Sequence, residues 1–354
     1  DFGGKMFGKE IQVISADHQN KPDIAKNVTL QWFDRDKVDM TVENLNSGVA
    51  LAVTALGKEK NKITIVNGAA SARLTNEDCA PATGVHYLMD TIALGNVLGK
   101  AIVKDGGDTW FFVTADYAFG TALERDTTAF VTKAGGKVIG SVRHPFPGNT
   151  DFSSFLLQAQ ASKAKVIGIC NAGTDTVNTI KQAAEFGLTL GGTRLAALQC
   201  LLPSLRPVGA EGAQGLYLTE SFYWDMNDGT RAFADRFMQA MPGTRPCMIH
   251  AGCYSGVLHV LRAAATLGTD AARAAPAWTD GAALVAAMKR LPTDDPLFGP
   301  GRIREDGRKL HDMHLFRVKP PARSRDSWDL YDLVRTTPGE QAFRPMAEGG
   351  CALR

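Results

Sequence analysis

Short apolar runs alternate with helical segments along most of the chain. Several of these runs are apolar on both faces, which is typical of the central strands of a parallel sheet that is covered on both sides. This alternation of strands and helices predicts a doubly wound α/β fold. The predicted strands are Glu10–Ser15, Val38–Val42, Ile63–Val66, Trp110–Thr114, Val138–Val142, Val166–Cys170, Leu195–Leu198 and Leu216–Thr219.

Three of the segments between strands have the apolar spacing of helices. Gly95–Val103 is one of them, and Phe152–Ala161 follows an Asn-Thr-Asp cluster of the kind that caps a helix. Met248–Leu267 carries its apolar residues on one stripe, which indicates a long helix with one buried face.

The pattern changes near Asp295. Two strands, Arg302–Arg304 and Met313–Val318, are predicted around an Asp-Gly turn, and Trp328–Val334 is predicted as a further strand. The residues from Thr336 onward are irregular. The one low-complexity segment is alanine-rich, Ala271–Ala277.

Composition and charge restrict the class of protein. The chain has 354 residues, which favours two domains. Hydrophobic residues make up 44% and charged residues 21%, as in ordinary globular proteins, and no apolar run is long enough to span a membrane. The net charge is +2, from 39 basic and 37 acidic residues that are interspersed, so nucleic acid is not an expected partner.

No metal site, cofactor site or catalytic site is predicted. The six cysteines form no C-x-x-C pair, and Cys170 and Cys200 lie in apolar runs that favour buried thiols. His311 and His314 are three apart on a predicted strand and therefore face opposite sides. No nucleophile elbow, phosphate-binding loop or H-E-x-x-H motif follows a strand, so we do not expect an enzyme.

Candidate ligand-binding residues follow the predicted strands, because ligands of open α/β sheets bind beyond the carboxyl ends of the strands. Ser47 is predicted to cap a helix whose free amides suit an anion. Small, polar and aromatic residues follow the other strands, as in a concave site with aromatic walls and a few polar anchors. Helix capping and core packing are the structural alternatives for each residue. The candidates are Ser47, Ala70, Ser71, Tyr117, Phe119, Asn171, Asp175, Gln199 and Tyr223.

The chain resembles type I periplasmic binding proteins of the leucine/isoleucine/valine-binding family, in the branch that binds aromatic and related carboxylates. The resemblance implies two lobes joined by three crossings, one of residues 1–115 plus 247–292 and the other of 116–246 plus 293–335, with a tail of 336–354. The segments that carry it are KEKNKITIVNGAASARLTNEDC, TWFFVTADYAFGTALERDT, HPFPGNTDFSSFLLQAQASKAKVIGICNAGTDT, LTESFYWD, GRIREDGRKLHDMHLFRVK and EQAFRPMAEGGC.

The same resemblance implies a secreted, periplasmic, monomeric protein with a signal peptide. Its implied partners are a small organic carboxylate and the permease of an ABC importer in the inner membrane. Members of the family begin with a strand and a helix that this chain lacks, so we expect the sequence to begin part-way into the first domain. A ligand-sensing regulatory domain of the same fold, a binder of branched-chain amino acids or amides, and a doubly wound enzyme are the alternatives.

The resemblance also assigns roles to residues. The ligand is expected to dock on the first lobe, and the second lobe to close over it by a hinge motion. Cys79 and Cys351 lie in segments that match the family branch, and the resemblance implies that they form a disulfide. The docking residues are Ser47, Ala70 and Ser71, and the closing residues are Tyr117, Phe119, Asn171 and Asp175.

The resemblance further indicates the class of ligand. In amino-acid-binding members, an acidic residue at the position of Gln199 receives the ammonium group, and a tyrosine stands at the position of Phe119. Because Gln199 is neutral, it cannot offset the cost of burying an ammonium. The sequence therefore predicts a carboxylate without an α-ammonium, such as a benzoate- or cinnamate-like acid. Asp175 leaves the amino-acid alternative open, because it can supply a negative charge.

Overall fold

A computed structural model describes residues 2–268 and 279–353 of the chain. The alanine-rich segment Ala271–Ala277 lies outside the described residues. The chain divides into two compact units. The first contains Asp1–Leu88, Ile249–His311 and Pro345–Arg354, and the second contains Met89–Met248 and Asp312–Arg344.

The first unit is built on a three-stranded parallel sheet and a small antiparallel sheet. In the parallel sheet, β4 lies between β3 and β5, and in the antiparallel sheet β12 lies between β11 and β13. The elements of this unit are β1 (Lys5–Met6), β2 (Lys9–Glu10), α1 (Pro22–Asp34), β3 (Met40–Glu43), α2 (Ser47–Lys60), β4 (Ile63–Val66) and β5 (Gly84–His86), then α10 (Met248–Leu267), α11 (Gly281–Arg290), β11 (Thr293–Asp295), β12 (Gly299–Ile303) and β13 (Lys309–Leu310).

The second unit is built on a seven-stranded sheet of the order β15-β14-β10-β9-β8-β6-β7, in which β7, β6, β8, β9 and β10 are parallel. Strands β14 and β15 extend it in the antiparallel sense. Its elements are α3 (Thr91–Lys104), β6 (Thr109–Ala115), α4 (Ala118–Lys133), β7 (Lys137–His144), α5 (Ser153–Ala161), β8 (Val166–Cys170), α6 (Thr174–Glu185), β9 (Arg194–Ala197), α7 (Leu202–Leu205), α8 (Gly209–Ala213), β10 (Tyr217–Glu220), α9 (Asp228–Ala240), β14 (Met313–Val318), β15 (Tyr331–Thr337) and α12 (Gly339–Ala342).

Both parallel sheets have the two-sided burial that the sequence predicts. Every residue of β4 and β8 is buried, and six of the seven residues of β6 are buried. In the second unit, Trp110 and Phe112 have no exposed surface, and burial of such side chains contributes roughly 1.5–3 kcal/mol each. The predicted doubly wound α/β class is confirmed.

The predicted strand at Glu10–Ser15 is wrong. Only Lys9 and Glu10 are in a strand, and they pair with Lys5 and Met6 in a short antiparallel ladder. Ile11, Val13 and Ile14 are exposed and lie outside any strand, although the Ile11 amide still donates to the Gly4 carbonyl at 2.9 Å. A short apolar run makes a strand only where a neighbouring strand accepts its hydrogen bonds along its length.

The turn at Asp306-Gly307 does not join the two strands that the sequence predicted. It connects β12 to the two-residue β13, with Gly307 at a φ of +84°. Met313–Val318 is a strand as predicted, but it is β14 of the large sheet and pairs with β10 and β15. A strand of two residues carries no apolar periodicity, so β13 leaves no signal in the sequence.

The division into units differs from the predicted lobes at two of the three predicted crossings. Residues 89–115, predicted in the first lobe, belong to the second unit, because β6 forms hydrogen bonds with β7 and β8. Residues 293–311, predicted in the second lobe, belong to the first unit, where β11, β12 and β13 form their own sheet. The predicted tail also begins inside β15, which runs to Thr337.

The predicted disulfide is confirmed. Cys79 and Cys351 are bonded, with a Cα–Cα distance of 5.6 Å and a sequence separation of 272 residues. The backbone N–H of Gly350 also donates to the Asn76 side chain. These two contacts hold the last residues of the chain on the first unit. Among the helices in the described ranges, none has the length and hydropathy needed to cross a membrane.

We expect loss of this disulfide to lower the stability of the protein. A bond that closes so long a loop restricts the unfolded chain, and its removal typically costs about 2–4 kcal/mol. The double substitution Cys79→Ser and Cys351→Ser should therefore lower the free energy of unfolding, measured by urea denaturation, by about that amount. Reductant should lower the stability of the wild type and leave the double variant unchanged. A wild type that is insensitive to reductant would contradict the expectation.

Candidate functional site

In the first unit, the carboxyl ends of β3 and β4 lie side by side. Glu43 is the residue that pairs with Val66 in the ladder, and the Asn67 N–H donates to the Glu43 carbonyl at 3.3 Å. The residues that follow these two strands are therefore neighbours. They include the predicted ligand residues Ser47, Ala70 and Ser71.

Ser47 is buried at the start of α2 but does not cap the helix. Asn46 is the N-cap, and its side chain accepts hydrogen bonds from the backbone amides of Gly48 and Val49 at 2.8 and 3.2 Å. The prediction that Ser47 caps α2 and leaves free amides for an anion is wrong, because two of those amides are already bonded to Asn46. Ser47 is 3% exposed, and its hydroxyl has no hydrogen-bond partner among the described residues.

The loop after β4 is buried and made of small residues. Ala70 is 1% exposed and Ser71 is 5% exposed. Ser71 precedes a short 3-10 helix, Ala72–Thr75, and its side chain makes no capping hydrogen bond. Small side chains here let other groups approach the backbone closely.

One group that approaches this loop is the carboxyl group of Glu43, which the sequence analysis did not single out. Its Oε1 accepts a hydrogen bond from the Gly68 amide at 3.1 Å, and its Oε2 accepts one from the Cys253 thiol of α10 at 3.5 Å. A Cβ at Gly68 would lie 2.2 Å from Glu43 Oε1, so only glycine permits this contact. Burial raises the pKa of Glu43 to about 7, and the two hydrogen bonds oppose the shift.

In the second unit, the carboxyl ends of β6, β7 and β8 bring together four of the predicted residues. Tyr117 and Phe119 follow β6, and Asn171 and Asp175 follow β8. Asn171 is fully buried. Its Oδ1 accepts from Thr176 Oγ1 at 2.8 Å, and its Nδ2 donates to Thr179 Oγ1 at 3.0 Å. The protein itself therefore holds the Asn171 side chain in one orientation.

The aromatic part of this edge contains a residue that the sequence analysis missed. Tyr117 stacks on Phe146 with ring centroids 4.0 Å apart, and Phe119 lies at 5.8 Å from Tyr117 in a tilted arrangement. Phe146 lies two residues beyond the end of β7, where the sequence analysis predicted no ligand residue. Because Phe146 covers one face of the Tyr117 ring, a ligand ring would have to stack on the opposite face.

Asp175 is buried beside a histidine. The carboxylate is 1% exposed, and its Oδ2 lies 3.6 Å from His144 Nδ1. Burial raises the pKa of Asp175, while His144 and the amides of Gly148 and Asn149 oppose the shift. Burial, with Asp175 as a smaller cause, also raises the pKa of Tyr117. His144 is the last residue of β7, so the signal that marks it is its place at a strand end.

The two remaining candidates lie after β9 and β10. Gln199 is 8% exposed and follows β9 by two residues. Tyr223 is buried in an aromatic cluster with Phe316 and Tyr331, and its hydroxyl donates to the Trp328 carbonyl at 3.1 Å. The Leu330 amide in turn donates to the Tyr223 hydroxyl at 3.1 Å. These contacts give Tyr223 a structural role in the second unit.

A separate cavity of about 150 Å³ lies in the first unit, between α10 and the residues around β11. Its polar wall is a chain of hydrogen bonds, from the Tyr87 hydroxyl to Ser255 at 3.0 Å and from Ser255 Oγ to Asp295 at 2.6 Å. The predicted ligand residues do not line it. Within residues 2–268 and 279–353, no cluster of histidine, cysteine and acidic residues is suited to a metal ion.

An α/β unit with polar and aromatic residues at the carboxyl ends of its strands is the architecture of a protein that binds small molecules. A family model described as periplasmic binding protein matches residues 1–325. The chain belongs to this family, as its resemblance to type I members predicted. No functionally curated protein matches it.

Solved structures agree with this assignment. A periplasmic binding protein from Burkholderia mallei is 46% identical, with a TM-score of 0.92, over 99% of this chain and 90% of that one. A branched-chain amino acid ABC transporter periplasmic ligand-binding protein from Burkholderia xenovorans LB400 is 36% identical, with a TM-score of 0.86, over 99% and 91%. A solute-binding protein of an ABC transporter from R. palustris, solved with benzoate, shares the fold at 21% identity and a TM-score of 0.84, over 99% and 90%.

We expect Asn171 to contribute mainly to stability. Asn171→Ala leaves the buried Thr176 hydroxyl without its acceptor and removes the donor to Thr179, whose hydroxyl keeps its bond to the Asp175 carbonyl; the loss costs about 2 kcal/mol in the free energy of unfolding. Asn178→Ala on the same helix, α6, is the control. Asn178 is only partly buried and makes one 3.4 Å hydrogen bond, so its loss should cost about 0.5 kcal/mol or less. Urea denaturation of both variants measures the difference, and equal stabilities would contradict the structural role.

Proposed function

We propose that the protein is the solute-binding component of an ABC importer and that it binds a small organic carboxylate of the aromatic acid class. The observation that carries the proposal is the edge of the second unit, where Tyr117, Phe119 and Phe146 lie beside Asn171 and Asp175 in a chain of the periplasmic binding protein family. Aromatic rings next to a few polar groups suit a planar ligand with one polar end.

Two kinds of relative support a ligand of this class. The R. palustris structures with benzoate and with 4-hydroxybenzoate share the fold of this chain, and the B. xenovorans protein is described as a branched-chain amino acid transporter component. All three descriptions name ABC transporters, and their ligands all carry a carboxylate. A carboxylate is therefore the part of the ligand that the relatives have in common.

The absence of charge on Gln199 favours an acid without an ammonium group. Gln199 is neutral, so it provides no counter-charge for a buried ammonium, whose transfer from water without a partner is costly. Phe119 presents an apolar ring where a tyrosine would present a hydroxyl. A ligand ring that stacks on Tyr117, on the side opposite Phe146, or against Phe119 gains about 0.5–1.5 kcal/mol per aromatic pair. This gain is in addition to the burial of apolar surface.

In this proposal each unit has its own task. Ser47, Ala70 and Ser71 in the first unit hold the carboxylate, and the second unit contributes the aromatic residues. Binding favours a closed state only as far as the ligand has greater affinity for that state than for the open one. The permease then recognises the closed form. The protein acts as a monomer outside the cytoplasm, as expected for the periplasmic binding protein family.

An amino acid is the second candidate ligand, and the buried acidic residues favour it. Asp175 in the second unit and Glu43 in the first each place a carboxyl group at a strand end, and an ionised carboxylate there would offset an ammonium. Burial raises the pKa of Glu43 to about 7, so its neutral form is available near neutral pH, which favours the aromatic acid over an ammonium at the edge of the first unit.

Calorimetric titration of the full-length protein separates the two candidates. We expect benzoate, 4-hydroxybenzoate or cinnamate to bind more tightly than leucine, isoleucine or valine. Phe119→Ala should weaken the binding of the aromatic acid by about tenfold, which corresponds to the loss of one ring contact. Phe130→Ala, at the other end of α4, is the matched control and should leave the affinity unchanged.

Leucine that binds more tightly than every aromatic acid tried would contradict the proposed ligand class. Unchanged affinity of Phe119→Ala for the aromatic acid would remove the stacking argument, while leaving the solute-binding function intact.

A further inference from the structure

The edge formed by β3 and β4 contains buried polar atoms that meet no hydrogen-bond partner among the described residues. They are Asn44 Nδ2, Ser47 Oγ and Asn67 Oδ1. Asn67 is fully buried, and its other polar atom, Nδ2, donates to Cys253 Sγ at 3.5 Å. A buried polar atom without a partner is costly, so such a group at a strand end suits a ligand that supplies the missing partners.

The chemistry of these atoms describes the ligand group that fits them. Asn44 Nδ2 can only donate and the Ser47 hydroxyl can donate, so both suit a carboxylate oxygen, whereas Asn67 Oδ1 can only accept and suits a donor instead. The helix amides that would otherwise bind an anion are not available, because Asn46 accepts hydrogen bonds from Gly48 and Val49. The carboxylate of a ligand would therefore rest on side chains at this edge rather than on the start of α2.

Glu43 places a carboxyl group at this edge. It is the last residue of β3, and both Glu43 and Asn44 have positive φ angles, of 89° and 64°. Such backbone conformations are costly for residues other than glycine and are concentrated at ligand-binding sites. These two residues connect β3 to α2 through this unusual backbone. The Glu43 carboxyl group accepts a hydrogen bond from the Gly68 amide, in the loop that leads to Ala70 and Ser71.

We infer that Glu43 is a ligand-binding residue whose carboxyl group keeps its proton and donates a hydrogen bond to the ligand's carboxylate. The inference rests on the proposed function, because it requires a ligand that is an anion. Two carboxylates at one buried site repel each other unless one of them is protonated. A shared proton converts that repulsion into a charge-assisted hydrogen bond, which is stronger than one between neutral groups.

The surroundings of Glu43 favour the protonated form. The groups that form hydrogen bonds with its carboxyl group are the Cys253 thiol on α10 and the Gly68 amide after β4, and of these only the thiol titrates. Burial raises the pKa of Glu43 to about 7, so the proton is available near neutral pH. Glu43 as a whole residue is partly exposed.

The number of protons taken up on binding depends on whether Glu43 is ionised in the free protein. Below pH 7 the Glu43 carboxyl group is already protonated, and the carboxylate ligand binds without exchange of protons. Above pH 7 the group is ionised in the free protein, and binding takes up one proton from solution because the ligand's charge raises the pKa further. The affinity for the acid should therefore be constant below pH 7 and fall by up to about tenfold per pH unit above it.

The test is calorimetric titration of the full-length protein with benzoate at pH 8. The same titration in phosphate and in Tris, which differ in ionisation enthalpy, gives the number of protons taken up. We expect close to one proton for the wild type. Glu43→Gln keeps a hydrogen-bond donor and loses the titratable group, so its affinity should not depend on pH between 6 and 8.5 and its proton uptake should be close to zero.

Glu59→Gln is the matched control, because Glu59 lies exposed on α2 of the same unit. This variant should keep the wild-type proton uptake. Benzoate binding without proton uptake, or uptake that persists in Glu43→Gln, overturns the role of Glu43 and leaves the proposed function standing. Failure of benzoate, 4-hydroxybenzoate and cinnamate to bind removes both. Binding of leucine with release of a proton also overturns the inference, because it assigns Glu43 to an ammonium.

Discussion

Parallel strands bring the residues that follow them to one edge of a sheet, and every polar side chain buried at that edge must find a partner. This constraint governs both units. In the second unit Asn171 is bonded to Thr176 and Thr179, but the two carboxylate oxygens of Asp175 are buried without a well-formed hydrogen bond among the described residues. In the first unit Asn44, Ser47 and Asn67 each keep a buried polar atom without a partner among the described residues. Both edges therefore keep buried polar atoms whose hydrogen bonds a ligand would complete.

The charge at these edges decides between the candidate ligands. Both contain a buried carboxyl group, Glu43 in one unit and Asp175 in the other, and burial raises the pKa of each. An acid in its neutral form is a hydrogen-bond donor, while in its ionised form it is a counter-charge for an ammonium. Glu43 would thus serve an aromatic acid when protonated and an amino acid when ionised, and its pKa of about 7 makes the protonated form available near neutral pH.

The sequence predicted the elements whose signals are local and two-sided. Ile63–Val66, Val166–Cys170, Met248–Leu267 and Met313–Val318 are found with the predicted bounds, because continuous apolar runs and a long apolar stripe leave little ambiguity. It could not decide which of two adjacent polar residues caps α2, since Asn46 and Ser47 are both suitable N-caps.

Glu43 was missed for a different reason. The groups that enclose its carboxyl group are Gly68 and Cys253, which lie 25 and 210 residues away in the sequence. The sequence suggested Tyr223 as a ligand residue but did not indicate that its hydroxyl is bonded to the backbone of residues 328 and 330. Both sets of contacts join distant segments of the chain, and no local pattern contains them.

The central claim is that the protein closes around a small acid, and small-angle X-ray scattering tests it most directly. The radius of gyration of the full-length protein would be measured alone, with saturating benzoate, and with the same concentration of chloride as the control for ionic strength. The account predicts a smaller radius with benzoate and no change with chloride. An unchanged radius at a benzoate concentration that calorimetry shows to be saturating would contradict closure around the ligand.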